Sequence, residues 1–105
     1  MHENTIINLI SVLRSGESTG RMAAAEALAA IGPTALPELT DALDDPSPRL
    51  RMWAAYTLGM LGDAEAVPAL IRALDDSDPR VRRWATAALR RIKDMAGGDC
   101  SCRFC

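Results

Sequence analysis

The residues best suited to chemistry in this 105-residue sequence are three cysteines near its C-terminus. Cys100, Cys102 and Cys105 are its only cysteines, and their spacing is C-x-C-x2-C. Thiolates this close in sequence can share a soft metal ion such as zinc or copper(I). A structural zinc site takes four ligands, so a fourth would have to be His2, water or a second chain. The odd number of thiols also allows an intermolecular disulfide or a redox role, and the remaining interpretation is a flexible tail of free thiols.

Residues for other kinds of catalysis are scarce. A nucleophile–base pair or a catalytic metal site usually uses histidine, and His2 is the only histidine in the chain. The sequence also contains no glycine-rich phosphate-binding loop. We therefore expect no enzymatic activity, and no cofactor apart from a soft metal ion at the cysteines.

Aromatic side chains form a second candidate site, in which Trp53 and Tyr56 are three residues apart and Trp84 follows in the same local pattern. Residues three or four apart share one face of a helix. These three residues therefore predict an apolar patch where a partner protein could dock. The alternative is that the rings pack over the junction between neighbouring helices.

Charge is unevenly distributed along the chain. Residues 1–45 carry seven acidic residues and two arginines, whereas residues 80–93 carry six basic residues and no acidic one. The net charge of −2 favours neither nucleic acid nor a membrane surface. The basic segment leaves weak nucleic-acid binding as an alternative, and the opposite charges of the two parts could orient a partner or a second copy. Local ion pairs on a solvated helix face are the simpler explanation.

Length and composition indicate one globular domain. Hydrophobic residues make up 49 % and charged residues 25 % of the chain, as is usual for globular proteins. The longest stretch of low charge, residues 22–36, is interrupted by Glu26 and by a Gly-Pro pair, so no membrane span is expected. The N-terminus lacks the basic and apolar segments of a signal peptide, and we therefore expect a cytoplasmic protein.

An internal repeat defines the elements that must position the candidate residues. The segment 44–55 recurs at 75–86, which aligns the two tryptophans with each other. The same pattern occurs once more upstream, where Gly32 aligns with Gly62. This upstream copy is offset by 30 residues, whereas the other two copies are offset by 31. The one-residue difference falls in a turn, where insertions are tolerated.

Each repeat unit is predicted to be a helical hairpin. In the first helix of one unit, Leu50, Ala54, Leu58 and Leu61 are spaced by four, four and three residues, as on one helix face. Gly62 then ends the helix, and a shorter second helix follows. The register predicts helices at about 5–14, 18–31, 35–43, 48–61, 65–74 and 79–93.

Such hairpins cannot bury their apolar faces alone, so neighbouring units must stack. We expect one repeat domain at 1–93, followed by a flexible Gly- and Cys-containing tail at 94–105. The last helix would lack a following helix and expose an apolar strip formed by Val81, Leu89, Ile92 and Met95. That strip would favour self-association, whereas the arginines of the same helix favour a monomer.

The repeated pattern resembles HEAT repeats of the phycobilisome-lyase-like type. Residues 44–76 contain Pro-x-Leu-Arg, then Ala-Ala, Leu-Gly-Asp, Ala-Val-Pro and Asp-Asp in the order typical of this type, and recognisable repeat covers roughly 5–93. The resemblance implies an all-α, right-handed α-solenoid of helical hairpins. It also implies a protein–protein interaction or scaffold module with no catalysis of its own.

The resemblance further implies structural roles for several charged residues. In this family the arginine at the positions of Arg21, Arg51 and Arg82 packs near the interhelix turn. There it can pair with the aspartates that match Asp45 and Asp76. We therefore expect Arg51 and Arg82 to be partly buried, each bonded to an aspartate or a carbonyl at a turn.

The same resemblance places the second helices of the units on a concave surface. Its outward positions include Glu38, Asp41 and Arg72, on a shallow surface with an acidic middle. These residues and the three aromatic residues, which the resemblance places on the convex layer, are the candidates for binding another protein.

Overall fold

The computed structural model describes residues 2–95, which are helical almost throughout. Their α-helices are α1 (His2–Ser15), α2 (Ser18–Ile31), α3 (Leu36–Ala42), α4 (Pro48–Leu61), α5 (Val67–Ala73) and α6 (Pro79–Met95). The described part of the chain contains no strand. The all-α prediction with six helices is therefore confirmed.

The start of α3 differs from the predicted range 35–43, because a 3-10 turn at Gly32–Ala35 precedes the helix. The Leu36 N–H donates to the Pro33 carbonyl, a bond of the 3-10 type. Pro37 has no N–H with which to make the next backbone bond of an α-helix. The α-helical pattern therefore begins only at this point.

The remaining differences between the predicted and observed helix ranges have the same cause or amount to a few residues. A 3-10 turn at Ala64–Ala66 precedes α5, where Pro68 plays the same part, so the helix is shorter than the predicted 65–74. At the two ends of the described chain, α1 begins earlier than predicted and α6 extends two residues further.

Local sequence explains the sharp boundaries of α4. The Ser47 Oγ accepts a hydrogen bond from the Leu50 N–H at 3.4 Å, and Pro48 occupies the first turn, where its missing N–H costs nothing. At the other end Gly62 adopts a left-handed conformation with φ 73°, which glycine reaches without steric cost. The helix consequently has the predicted range.

The helices pack in two layers. In one layer α4 lies between α2 and α6 and contacts both. On the other side α1 packs on α2 and α4, α3 packs on α4, and α5 packs on α6. Each odd-numbered helix thus covers the long helix that follows it in the chain. The helices pair as α1–α2, α3–α4 and α5–α6, whereas the predicted hairpins joined each long helix to the shorter helix after it. The pairs still stack, through contacts of α4 with α2 and α6.

The core between the layers consists mainly of leucine and alanine. Leu28, Leu50 and Leu58 are fully buried. Two helices approach each other closely at Gly59 of α4, where a Cβ atom would lie 3.0 Å from the Cα and Cβ of Ala88 in α6. Small residues here let the two helices approach each other closely.

The exposed apolar strip predicted on α6 is not observed. Val81 and Ile92 are buried and Leu89 is half-buried, while the side chain of Met95 lies outside the part of the chain that the structure describes. The prediction was wrong because α4 and α5 together cover the apolar residues of α6, so no following helix is needed to bury them. The outer side of α6 is mainly polar and rich in arginine.

Candidate functional site

Arg51 joins two of the turns between the layers. Its Nε donates to Asp76 Oδ2 at 2.8 Å and its Nη2 to Asp76 Oδ1 at 3.2 Å. Its Nη1 donates to the carbonyls of Asp45 at 2.7 Å and Pro46 at 3.1 Å. The side chains of Arg51 and Asp76 are only 14 % and 11 % exposed. The partial burial and the turn contacts expected of Arg51 are both present.

The two equivalent arginines make different contacts. Arg82 donates to the Asp76 carbonyl at 2.7 Å but is exposed, so the expected burial is wrong for this residue. Arg51 is covered by the turn of the following unit, and no such turn follows α6 within the described residues. Arg21 is half-buried and donates to the Gly16 carbonyl rather than to an aspartate.

Two aspartates at the turns have lowered pKa values. Asp45 pairs with Arg14, whose Nη2 lies 2.8 Å from Oδ1, and accepts the Ser47 N–H at 2.9 Å. The hydrogen bond from Arg14, followed by that from Ser47, holds the pKa of the Asp45 carboxyl below its ordinary value. Hydrogen bonds from the Arg80 side chain and N–H lower the pKa of Asp78 to about 2. These carboxylates are ionised at neutral pH and stabilise the turns.

The predicted aromatic residues come together on the outer layer. The ring centroids of Trp53 and Tyr56 are 5.5 Å apart with planes at 90°, and those of Tyr56 and Trp84 are 5.1 Å apart at 81°. Edge-to-face pairs of this kind are favourable. The rings line a small cleft of about 170 Å³. We define the aromatic face as the residues that line this cleft, Met22, Met52, Trp53, Tyr56 and Trp84.

The aromatic face combines packing with exposure. Tyr56 lies between the two tryptophans, and its hydroxyl donates to the Met22 sulfur at 3.7 Å. Trp84 nevertheless remains 37 % exposed and Met22 39 % exposed. The rings therefore cover the junction between α4 and α6 and also present apolar surface to solvent.

A second depression adjoins the aromatic face between α4 and α6, with a volume of about 370 Å³. We call it the α4–α6 groove. Its floor lies where Gly59 meets Ala88. The groove is lined by Tyr56, Gly59, Met60, Trp84, Ala87, Ala88 and Arg91.

The family model for HEAT repeats matches residues 6–94 of this chain. The chain belongs to the HEAT repeat family. Repeats of this family commonly mediate protein–protein interaction and scaffolding, and the family is typically non-catalytic. No curated protein is significantly similar in sequence. The solenoid expected from the internal repeat agrees with this membership.

The concave candidates of this HEAT solenoid are only partly brought together. Glu38 and Asp41 line a depression of about 230 Å³ between α1 and α3, whereas Arg72 is exposed on α5 and does not line it. The depression is also lined by Ile7, which is 55 % exposed and was not among the predicted binding residues. Ile6 and Leu13, seven residues apart, lie on the buried face of α1. Ile7 follows Ile6 directly and therefore points away from that face, so its apolar side chain in the sequence was the signal for exposed apolar surface.

The remaining candidate residues lie outside the part of the chain that the structure describes. Cys100, Cys102 and Cys105 are not among the described residues, and neither is the side chain of His2. Within the described part of the chain, no three His, Cys, Asp or Glu side chains are placed to hold a metal ion. No helix described here is both long enough and apolar enough to cross a membrane.

Proposed function

We propose that this HEAT repeat chain is a non-catalytic module that binds another protein through the aromatic face. The supporting observation is the exposure of Trp84 and Met22, by 37 % and 39 %, beside an apolar cleft of about 170 Å³. Clustered exposed apolar side chains are typical of interaction sites. Tryptophan and tyrosine also contribute more binding free energy than most residues at protein interfaces.

The packing of the aromatic face favours binding. Trp53 and Tyr56 are on α4, which is held between α2 and α6, and each ring contacts another ring. Side chains that are already held in place lose little conformational entropy when a partner binds. The face is thus a preorganised surface rather than a set of mobile side chains.

Three further assignments belong to the same proposal. The pattern in residues 44–76 supports the phycobilisome-lyase-like subtype within the family. The composition supports a cytoplasmic location. Glu38, Asp41 and Arg72 are candidates for secondary contacts on the concave side, because all three are at least partly accessible to solvent.

Selection of binding peptides from a random display library tests this function. The peptides should be about 15 residues long, because shorter peptides rarely form helices. We expect the chain to enrich specific peptides, and Trp84→Ala to weaken their binding about tenfold or more, since hot-spot truncations have effects of this size. Arg83→Ala, at an exposed position on the same helix but not lining the cleft, is the control and should leave binding unchanged.

Melting curves for both variants would show whether each is folded. Failure to enrich any peptide, or equal affinities for the wild type and a folded Trp84→Ala variant, would contradict the proposed function.

A further inference from the structure

We propose that the segment bound beside the aromatic face is an acidic amphipathic helix. Its apolar side chains enter the α4–α6 groove, and one of its carboxylates pairs with Arg91. This inference rests on the proposed function and adds to it the chemistry of the partner.

The shape of the groove suits apolar side chains. Its floor is low because Gly59 has no side chain and Ala88 only a methyl group. Bulkier side chains, those of Tyr56, Met60 and Trp84, also line it. A volume of about 370 Å³ leaves room for apolar side chains of a partner, and burying them would release water from both surfaces.

The groove favours a helix over an extended strand. The segments of α4 and α6 that border it lie within continuous helices of 14 and 17 residues, whose backbone N–H and C=O groups are used within the helices. An extended peptide gains affinity mainly by pairing its backbone with a free sheet edge, and residues 2–95 contain no strand that could offer one. A helix instead binds by inserting side chains at a spacing of three or four residues.

The charge beside the groove indicates an acidic partner. The ion pairs among the described residues are Arg14–Asp45, Arg51–Asp76 and Arg80–Asp78. None of them uses Arg91, which is exposed, and no acidic residue in the described part of the chain lines the groove. A guanidinium without a carboxylate partner, next to apolar surface, is complementary to a carboxylate, and such charge-assisted bonds are stronger than neutral ones.

The same observations favour an acidic peptide over a nucleic acid. Binding to a phosphate backbone usually neutralises several phosphates with several cations. Arg91 is the only cation among the residues that line the groove, and Met60, Ala87 and Ala88 offer no side-chain donor. The net charge of −2 gives no general attraction for polyanions, so the attraction for acids is local to α6.

A double-mutant cycle on one enriched peptide tests the inference. We expect the enriched peptides to carry Asp or Glu beside Leu, Ile or Phe at helical spacing. Arg91→Gln should weaken binding of such a peptide about tenfold, in line with loss of a charged hydrogen bond. Replacing the peptide's Glu with Gln should remove this difference, because the partner of Arg91 is then neutral. Fluorescence anisotropy of the labelled peptide measures all four combinations.

Arg83→Gln is the matched control, because it removes the same charge from the same helix at a position that does not line the groove. It should change the affinity less than about twofold, as expected for an exposed charge outside the contact. Peptides that are neutral or basic, and whose binding still depends on Trp84, would overturn the acidic partner while leaving the proposed function in place.

A further outcome would favour a nucleic acid. Tighter binding of a single-stranded DNA oligonucleotide than of any peptide, weakened equally by Arg83→Gln and Arg91→Gln, would also overturn the inference.

Discussion

Arg51 and Arg82 occupy equivalent positions in successive repeat units but differ in what they hold together. Arg51 bonds to both oxygens of the Asp76 carboxylate and to two carbonyls of the preceding turn. Arg82 makes one bond, to a carbonyl, from an exposed position. Removing Arg51 would leave a largely buried carboxylate without its charged partner, whereas removing Arg82 would expose one carbonyl to water.

We therefore predict that Arg51→Ala lowers the free energy of unfolding by about 2–4 kcal/mol, the range for groups that lose a charged partner at a partly buried site. Arg82→Ala is its matched control and should cost less than about 1 kcal/mol. Urea unfolding followed by circular dichroism measures both. Equal losses for the two variants would show that the Asp76 contact contributes nothing beyond the carbonyl bond.

The carboxyl of Asp45 provides a prediction about pH. Its pKa in the folded chain lies below the ordinary value of 3.8, chiefly because of the hydrogen bond from Arg14. A carboxyl with a lowered pKa stabilises the fold above its unfolded pKa, and this contribution is lost as pH falls through the folded pKa. Arg14→Gln should raise the pKa of Asp45 towards 3.8. Carboxyl carbon shifts in an NMR titration measure this, and Asp78, bonded to Arg80, should remain at about 2.

At the scale of the helix, the phase of the apolar stripe on α4 can be tested. Leu58 is fully buried, and Arg49 near the start of the helix is exposed. Leu58→Ala should lower the free energy of unfolding by about 2–5 kcal/mol because it leaves a cavity. Arg49→Ala should change it by less than about 0.5 kcal/mol. Similar denaturation midpoints for the two variants would mean that the stripe faces another direction.

The helices could be predicted where local residues determine their ends. Pro48 and Gly62 fix α4 by their own backbone preferences, and the predicted range was correct. The starts of α3 and α5 were placed too early because Pro37 and Pro68 fit the first turn of a helix equally well after a loop or after a 3-10 turn. Sequence spacing does not distinguish these two local conformations.

The aromatic site could be predicted only in part, because sequence spacing gives the face of a helix but not the distance between helices. Spacing placed Trp53, Tyr56 and Trp84 on one side of their helices, and the repeat brought those helices together. Met22 was missed although the repeat aligns it with Met52, so the signal was present in the register. The groove beside these residues depends on the distance between α4 and α6, which periodicity does not give.

The burial of Arg82 and the exposed strip on α6 were wrongly predicted because both depend on which helices cover α6. Sequence spacing shows which face of a helix is apolar. It does not show which neighbours cover each part of the helix. Here α4 and α5 bury the apolar face of α6, and within the described residues no following turn covers Arg82.

At the scale of the whole molecule, opposite charges lie on different parts of the solenoid. The depression with Glu38 and Asp41 lies between α1 and α3, and the basic residues lie on α6. Two copies could join head to tail through these surfaces, and such contacts form open chains unless they close into a ring. The apolar residues that would strengthen this contact, Val81 and Ile92, are buried within the chain. Exposed charges alone contribute little and are screened by salt.

We therefore predict a monomer of 11.3 kDa in sedimentation equilibrium at physiological salt with a reductant present. Without reductant we expect a covalent dimer, because pairing two of the three cysteines within one chain leaves one free thiol. Replacing Cys100, Cys102 and Cys105 by serine should abolish that dimer and leave the reduced mass unchanged. Association that persists with reductant and disappears at high salt would instead demonstrate the head-to-tail contact. Glu38→Lys should then abolish it, whereas Glu65→Lys, which makes the same charge change at an exposed position outside the acidic depression, should not.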